Sequence, residues 1–166
     1  MSFAVRPAGL ADVPEIQSIY AHHVLHGTGS FEELPPSVEE MADHFGRVFA
    51  RGWVWLVAAD ATGVLGYAYF AQLRDRSAYR FTLEDSVYMR PDAQGRGIGR
   101  ELLQQLINAA AQHGFKQMVA VIGDAENQAS VRLHYGLGFH KAGHLHAVGW
   151  KFGRWLDVIY MQKELC

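Results

Sequence analysis

Cysteine is almost absent from this sequence, since Cys166 is the only one among 166 residues. A disulfide within one chain is therefore excluded, and so is a zinc site built from several cysteines. Chains without disulfides are typical of reducing compartments. We therefore expect a cytoplasmic location.

A surplus of positive charge and a long apolar run are also missing. The chain has 15 lysines and arginines against 17 aspartates and glutamates, a net charge of −2. Without a basic cluster, we do not expect binding to the phosphate backbone of a nucleic acid. No apolar run is long enough to span a bilayer, and the charged-then-apolar pattern of a signal peptide is missing from the N-terminus. We therefore expect neither a nucleic acid nor a membrane as a partner.

The length and composition that remain are those of one folded unit. The chain is 49% hydrophobic, so we predict a single domain over residues 1–166 with a sizeable core. The pattern predicts the order β-α-α-β-β-β-α-β-α-β-β, which belongs to a mixed α/β (α+β) class with a mixed, mostly antiparallel central sheet flanked by helices. Strands are predicted over 2–6, 53–60, 64–72, 79–89, 116–122, 145–150 and 155–162, with helices over 12–26, 37–49, 98–113 and 127–135. Capping boxes are predicted at Asp12 with Glu15 and at Ser37 with Glu40.

The strand predicted over 79–89 carries two neighbouring carboxylates on opposite faces. Asp85 is the one polar residue on its apolar face, and a β-bulge near it would relieve that conflict. Glu84 lies on the polar face, between Thr82 and Ser86. A carboxylate placed there can accept the proton that an amine must lose before it attacks a thioester.

A glycine cluster follows this strand and opens the third helix. Gly95, Gly97 and Gly99 leave the backbone unscreened, while Arg96 and Arg100 add positive charge. Backbone N–H groups at a helix N-terminus bind anions, so a pyrophosphate is the expected guest. A dinucleotide fingerprint fails because arginine stands where the third glycine belongs, and no Gly-Lys-Ser or Gly-Lys-Thr of a Walker loop follows.

The loop and a second motif resemble a known superfamily. Gln94, Gly97 and Gly99 match Gln/Arg-x-x-Gly-x-Gly/Ala, and Asn127-Gln128-Ala129-Ser130, Leu133-His134-Tyr135 and Gly138-Phe139 form the second motif. The chain is similar to the Gcn5-related N-acetyltransferases (GNAT). It most resembles the phosphinothricin and methionine sulfoximine N-acetyltransferases, through residues 82–88, 119–122, 130–134 and 151–157.

This resemblance implies an enzyme, an acetyl-CoA-dependent N-acetyltransferase. Acetyl-CoA would be the co-substrate, and the acetyl group would pass directly to the α-amine of a small amino acid or analogue in a ternary complex. A homodimer and a role in antibiotic or herbicide resistance are implied as well. Two alternatives remain open: a GNAT enzyme acting on a protein N-terminus or another amine, and a non-catalytic module that binds acyl-CoA.

The resemblance also implies roles for individual residues. Glu84 would be the general base, and His134 either the general acid or an orienting group. The residues expected to bind acetyl-CoA are Val87, Tyr88, Met89, Gln94, Gly95, Arg96, Gly97, Ile98, Gly99, Arg100, Asn127 and Ser130. Those expected to bind the substrate are Phe31, Arg74, Arg76, Asp85 and Ser86, with the arginines suited to a carboxylate because guanidinium groups bind planar oxyanions bidentately.

The histidines do not form a recognisable metal motif in the sequence. His22 and His26 are four residues apart on a predicted helix, but the glutamate of an H-E-x-x-H motif is missing. His144 and His146 share one predicted strand face, without a nearby carboxylate–histidine cluster in the sequence to complete a site. We therefore expect no metal.

Overall fold

The computed structural model describes residues 2–166, and its helices and strands follow the predicted order. The strands are β1 (Ala4–Pro7), β2 (Trp55–Asp60), β3 (Gly63–Gln72), β4 (Thr82–Met89), β5 (Gln117–Gly123), β6 (His140–Lys151) and β7 (Arg154–Glu164). The helices are α1 (Val13–His26), α2 (Val38–Ala50), α3 (Ile98–Gln112) and α4 (Gln128–Tyr135). No helix in residues 2–166 has the length and apolar character needed to cross a bilayer.

The strands form one seven-stranded sheet with the order β1-β2-β3-β4-β5-β7-β6. Neighbouring strands are antiparallel except β4 and β5, which run parallel. A parallel pair needs a crossover connection, and α3 supplies it between β4 and β5. This confirms the mixed, mostly antiparallel sheet.

Each face of the sheet is covered by helices because strand side chains alternate between faces. Trp55 and Val57 of β2 pack with α1 and α2, in the same cluster as Ile16 and Phe45. Leu56 and Ala58, which alternate with Trp55 and Val57 along β2, point to the other face and pack with α3 in a second, larger hydrophobic cluster. The alternation thus divides the core into two layers with the sheet between them.

Local corrections concern the start of α1 and the strand β4. The predicted box at Asp12 and Glu15 is wrong, because Asp12 makes no capping bond to α1. Its carboxylate instead accepts hydrogen bonds from Gly9 N, at 2.8 Å, and from the Arg6 side chain, and both of these residues precede α1. The box formed by Ser37 and Glu40 is confirmed.

Strand β4 begins later than predicted, because residues 77–79 form a 3₁₀ turn. No bulge relieves the conflict at Asp85 in the pairing with β3, because the β3–β4 register runs without a shift from Gly66–Met89 to Gln72–Leu83. Asp85 stays buried in a regular strand because a histidine on α4 pairs with it, as described below. The last two strands are longer than predicted, since residues 140–144 are mostly polar or glycine and carry no strand signal.

Candidate active site

Strands β4 and β5 separate halfway along β4 and leave a gap in the sheet. They pair only from Thr82–Gln117 to Asp85–Ala120, whereas β4 remains paired with β3 as far as Met89. Arg90 N donates to Leu65 O of β3, so the backbone groups of alternate residues, Val87 and Met89, face the gap. A strand-like ligand can therefore hydrogen-bond to β4 there.

The glycine loop closes one end of this gap. Gly95 and Gly97 have φ of 75° and 78°, a left-handed conformation that side chains other than glycine adopt at a cost. Gly97 is the N-cap of α3, so the free N–H groups of the first helical turn lie at the gap. These groups and the helix dipole favour an anion there.

A cavity of about 790 Å³ fills the gap and continues to the α1 side of the sheet. Three of the predicted site residues, Arg74, Arg76 and Arg96, do not line it. Arg96 Nη2 instead lies 3.8 Å from Asp60 Oδ2. The predicted residues that do line the cavity are Phe31, Glu84, Asp85, Ser86, Val87, Tyr88, Met89, Gln94, Gly95, Gly97, Ile98, Gly99, Arg100, Asn127, Ser130 and His134.

Glu84 projects from the face of β4 that α1 covers, on the same side as Ser86 and Tyr88. The residue opposite Ser86 on β3 is Tyr69, and the Tyr69 ring stacks on Trp55 with 4.1 Å between the ring centroids. Burial raises the pKa of the Glu84 carboxyl, the charge of Asp85 raises it further, and Arg74 opposes the rise. The pKa of Glu84 thus moves toward the range in which a carboxylate acts as a base.

Asp85 points to the opposite face and forms a buried pair with His134 of α4. His134 Nε2 donates to Asp85 Oδ2 at 2.7 Å, and His134 Nδ1 donates to Ser130 O at 2.7 Å. Both ring nitrogens face acceptors, an arrangement that only the doubly protonated ring satisfies. Burial alone would lower the pKa of His134, but the charge and hydrogen bond of Asp85, with the Ser130 carbonyl, raise it.

Helix α4 brings the second motif to the cavity. Asn127 is its N-cap, and the Asn127 side chain accepts from Ser130 N at 3.4 Å. Ser130 Oγ lies 3.4 Å from His134 Nδ1. The Asn127, Ser130 and His134 side chains thus lie along one stripe of the helix, as the sequence spacing predicts.

The two arginines of the β3–β4 connection lie on an exposed loop. Arg74 donates to the adjacent Leu73 carbonyl at 2.8 Å. The Arg74 and Arg76 carbonyls accept from Gln72 Nε2, which fixes the loop backbone. Of the two, Arg74 is near enough to lower the pKa of Glu84.

The α1–α2 linker supplies Ser30 to the cavity, a residue that the sequence motifs do not predict, beside the predicted Phe31. Ser30 Oγ lies 2.9 Å from Tyr20 Oη, and its carbonyl accepts from the buried Lys151 ammonium at 2.7 Å. Phe31 lies between two strands, so a Cβ added at Gly123 would be 2.8 Å from its ring. Only tertiary pairing brings this linker to β5 and β6.

Further residues of α1 and the linker extend the site. His23 Nε2 donates to Met89 O at 2.7 Å, occupying one of the carbonyls that face the gap. Tyr20 and Glu32 line both this cavity and a second one of about 700 Å³ under α2. The helical spacing of Tyr20 and His23 signals an inward face, but not a cavity.

The histidine pair on β6 is less isolated than the sequence indicates. Asp157 of β7 lies beside both His144 and His146, and so supplies the carboxylate that was missing from the sequence pattern. On α1, the His22 and His26 rings lie 5.0 Å apart, but no third metal-binding side chain joins them within residues 2–166.

A sheet split beside a glycine-led helix, with a carboxylate on the split strand, defines a transferase of the acetyltransferase class. The family model described as the acetyltransferase (GNAT) family matches residues 16–139. The chain belongs to this family.

Individual relatives and a solved structure agree with this assignment. The chain is 51% identical to a phosphinothricin N-acetyltransferase from Alcaligenes faecalis, over 93% of this chain and 78% of that protein. It is 43% identical to an L-methionine sulfoximine/L-methionine sulfone acetyltransferase from Pseudomonas aeruginosa, over 99% and 96%. A phosphinothricin acetyltransferase from Sinorhizobium meliloti, solved in complex with acetyl-CoA, superposes with a TM-score of 0.96 at 44% identity, covering 99% of this chain and 89% of that one.

Proposed function

We propose that this protein is an acetyl-CoA-dependent N-acetyltransferase that acetylates the α-amine of a small amino acid or amino-acid analogue. The observation that carries the proposal is the position of Glu84 on β4, just before the strand leaves β5 and exposes Val87 and Met89. A strand-like co-substrate arm and a half-buried base thus meet at one point. The names of the relatives, phosphinothricin and methionine sulfoximine acetyltransferases, support the acceptor class.

The residues present fit acetyl-CoA. The backbone of Val87 and the N–H of Met89, whose carbonyl is bonded to His23, would pair with the pantetheine arm as an added strand would. The N–H groups between Gly95 and Arg100 would hold the pyrophosphate, since left-handed glycines and a helix start turn their donors toward the gap. Bound there, acetyl-CoA supplies the thioester that donates the acetyl group. Tyr88, Gln94, Ile98, Gly99, Asn127 and Ser130 complete the proposed set, together with Arg96, which would contribute its backbone N–H because its side chain points to Asp60.

Glu84 acts as the general base. Its carboxylate accepts the proton that the amine loses as the amine nitrogen bonds to the acetyl carbonyl carbon and the carbon–sulfur bond breaks. The raised pKa of Glu84 makes it a stronger base than an exposed carboxylate. The proton passes either directly or through one water molecule.

His134 orients the site rather than donating a proton to the leaving sulfur. Both of its N–H groups are already given to Asp85 and Ser130, so the ring has no free proton to direct elsewhere. Its positive charge, held by Asp85, lies in the cavity wall and would stabilise a departing thiolate electrostatically. Asp85, expected from the resemblance to bind the substrate, would therefore act through His134, with which it is paired.

The acceptor would occupy the part of the cavity between Ser86 and Phe31. Its carboxylate would meet Arg74 or Arg76, whose loop is exposed and adjacent to Glu84. Such a contact requires the arginine side chains to turn toward Glu84 when the substrate enters, because neither lines the cavity. This part of the proposal rests on the charge of the loop and on the Arg74–Glu84 interaction.

We propose the domain organisation, location, partners and oligomeric state from fewer observations. Residues 1–166 would act as one acetyltransferase domain, because the strands from Ala4 to Glu164 share one sheet. A cytoplasmic location is supported by the single cysteine, and neither a membrane nor a nucleic acid is proposed as a partner. A homodimer is supported by exposed aromatic side chains on the β6–β7 hairpin, Trp150, Phe152 and Trp155.

The test is a steady-state assay of CoA release with acetyl-CoA and a panel of free amino acids, phosphinothricin, methionine sulfoximine and short peptides. We expect turnover with one or more free amino acids or analogues. Turnover with peptides alone, or acetyl-CoA binding by calorimetry without turnover, would contradict the proposal.

The Glu84→Gln variant tests the base. We expect kcat to fall by about 100-fold or more while KM for acetyl-CoA is unchanged, because the amide cannot accept the proton. In the wild type, kcat/KM should fall as pH drops through the raised pKa of Glu84, and this acidic limb should disappear in the variant. Glu39→Gln, at an exposed position in the first turn of α2, is the matched control and should keep full activity.

A further inference from the structure

The β6–β7 hairpin gathers two imidazoles and a carboxylate at one point on its surface. His144 Nε2 lies 2.8 Å from Asp157 Oδ2, and His146 Nδ1 lies 3.3 Å from the same oxygen. The two imidazole rings stack with their centroids 4.1 Å apart. The three side chains offer ligand atoms that all lie within 4.8 Å of one another.

An irregularity in the hairpin produces this arrangement. Side chains two residues apart in a regular strand stand roughly 6.6 Å apart, farther than the two stacked rings. The β6–β7 register shifts between Leu145 and Gly149, and Ala147 has a φ of 52°. Ala147 N donates to Asp157 Oδ1 at 2.8 Å, so Asp157 itself holds the backbone bend that turns His146 toward it.

We propose that His144, His146 and Asp157 bind a divalent transition-metal ion, with Zn²⁺ as the best match. Two imidazole nitrogens and one carboxylate oxygen suit Zn²⁺, whereas Mg²⁺ and Ca²⁺ prefer oxygen ligands alone. Three protein ligands leave a fourth position for water or an external ligand. The Ala147 N–H holds Asp157 Oδ1, which leaves Oδ2 on the side of the two imidazoles.

One neighbouring charge opposes the ion. Lys141 Nζ lies 3.3 Å from His144 Nδ1, on the ring nitrogen that does not face Asp157. Because Lys141 is exposed, its ammonium can swing into solvent when the ion binds. Lys141→Ala should therefore tighten Zn²⁺ binding several-fold by removing a like charge.

The proposed ion would stabilise a wall of the main cavity. Asp157 O accepts from Asp124 N at 2.8 Å, and the Asp124 carboxylate accepts from Thr28 Oγ1 at 2.6 Å and from Arg154 at 3.0 Å. These bonds connect the hairpin to the α1–α2 linker. We expect Zn²⁺ to raise the Tm of the protein, independently of any transferase activity.

The test is isothermal titration of the tag-free, chelator-treated chain with ZnCl₂. We expect one ion per chain, and we expect His146→Ala to weaken the affinity at least about tenfold, or ~1.4 kcal/mol. The His146 side chain is 76% exposed, so this variant should fold, which circular dichroism without metal checks. His140→Ala removes an exposed histidine from the same strand and should bind as the wild type does.

Two further measurements separate this site from other binding. Co²⁺ in the wild type should give a visible spectrum of imidazole and oxygen ligation, which His146→Ala should lose and His22→Ala, in the α1 pair, should keep. Sedimentation should give the same mass with and without Zn²⁺. Equal binding by wild type and His146→Ala, equal weakening by His140→Ala, or binding that requires a doubled mass would overturn the proposal.

Discussion

Two neighbouring residues of β4 serve opposite faces of the sheet. Strand geometry directs the Glu84 side chain toward α1 and the Asp85 side chain toward α4. The first therefore meets the acceptor side of the cavity, and the second meets His134. Consecutive residues of one strand thus supply the base with a raised pKa and the carboxylate of the buried ion pair.

The Asp85–His134 pair makes stability depend on pH. The pKa of His134 is raised in the folded protein from its ordinary value of 6.5, so the pair contributes fully below pH 6.5 and the contribution declines as pH rises through the folded pKa. His134→Gln should therefore cost about 3 kcal/mol near pH 6 and less near pH 9. Urea unfolding at several pH values measures this difference.

The surface variant His140→Gln provides the control for that series. It should show a small cost that does not change in the same pH window. A His134→Gln cost that is constant, or that grows with pH, would contradict a charged His134.

The sequence identifies the motif residues of the site, but it does not identify the side chains with which those residues pair. The alternation of β4 marks Asp85 as a misfit on an apolar face, but its partner is 49 residues away in sequence. Nothing local to Asp85 signals that His134 will meet it. Arg96 was expected at the cofactor because it lies inside the loop, whereas its side chain turns outward to Asp60.

Among the elements, the junction between β4 and α3 depends most on glycine. Gly97 holds a φ of 78° at the N-cap of α3, and a Cβ added there would meet no atom within 4 Å. Glycine is therefore required at position 97 by the left-handed backbone conformation and not by a lack of space for a side chain. The same holds for Gly95, with its φ of 75°.

Gly97→Ala should lower the free energy of unfolding by about 1 kcal/mol. It should also raise KM for acetyl-CoA, because the donors at the start of α3 would shift. The opposite control is Gly46→Ala, in the middle of α2, where an added Cβ again meets nothing and stability should rise by about 0.5 kcal/mol. Denaturant unfolding of both variants checks the two signs, and a gain or no change for Gly97→Ala would contradict the argument.

The hydrophobic period and the turn residues predict the order and type of the helices and strands, but they do not predict where some strands begin. The predicted strand over 79–89 begins only at Thr82, because residues 77–79 close a 3₁₀ turn. The β6 strand reaches back to His140 through polar residues because β7 pairs with it. Such ends depend on a neighbouring strand that no local pattern reveals.

At the scale of the whole molecule, the β6–β7 hairpin leaves aromatic surface uncovered. Trp150 and Trp155 are 54% and 63% exposed, and Phe152 is 55% exposed. Large exposed apolar patches are typical of protein interfaces. This surface underlies the proposed homodimer.

Trp155→Lys should convert the proposed dimer to a monomer, because a charge would be buried at the interface. Sedimentation velocity gives the masses of the wild type and the variant. Leu10→Lys, at a position that is 68% exposed and remote from the hairpin in the chain, should leave the mass unchanged. A wild type that sediments as a monomer would contradict the dimer itself.

The Phe31 ring lies against Gly123 and Gly149 and so restricts which residues can replace these two glycines. A Cβ on either glycine would overlap the ring, so neither position can enlarge while Phe31 is retained. At Gly149 the ring supplies every close contact, so a larger residue fits there only after Phe31 has been replaced by a smaller one. Gly123 is restricted twice, because the Thr28 carbonyl would also lie 2.9 Å from an added Cβ.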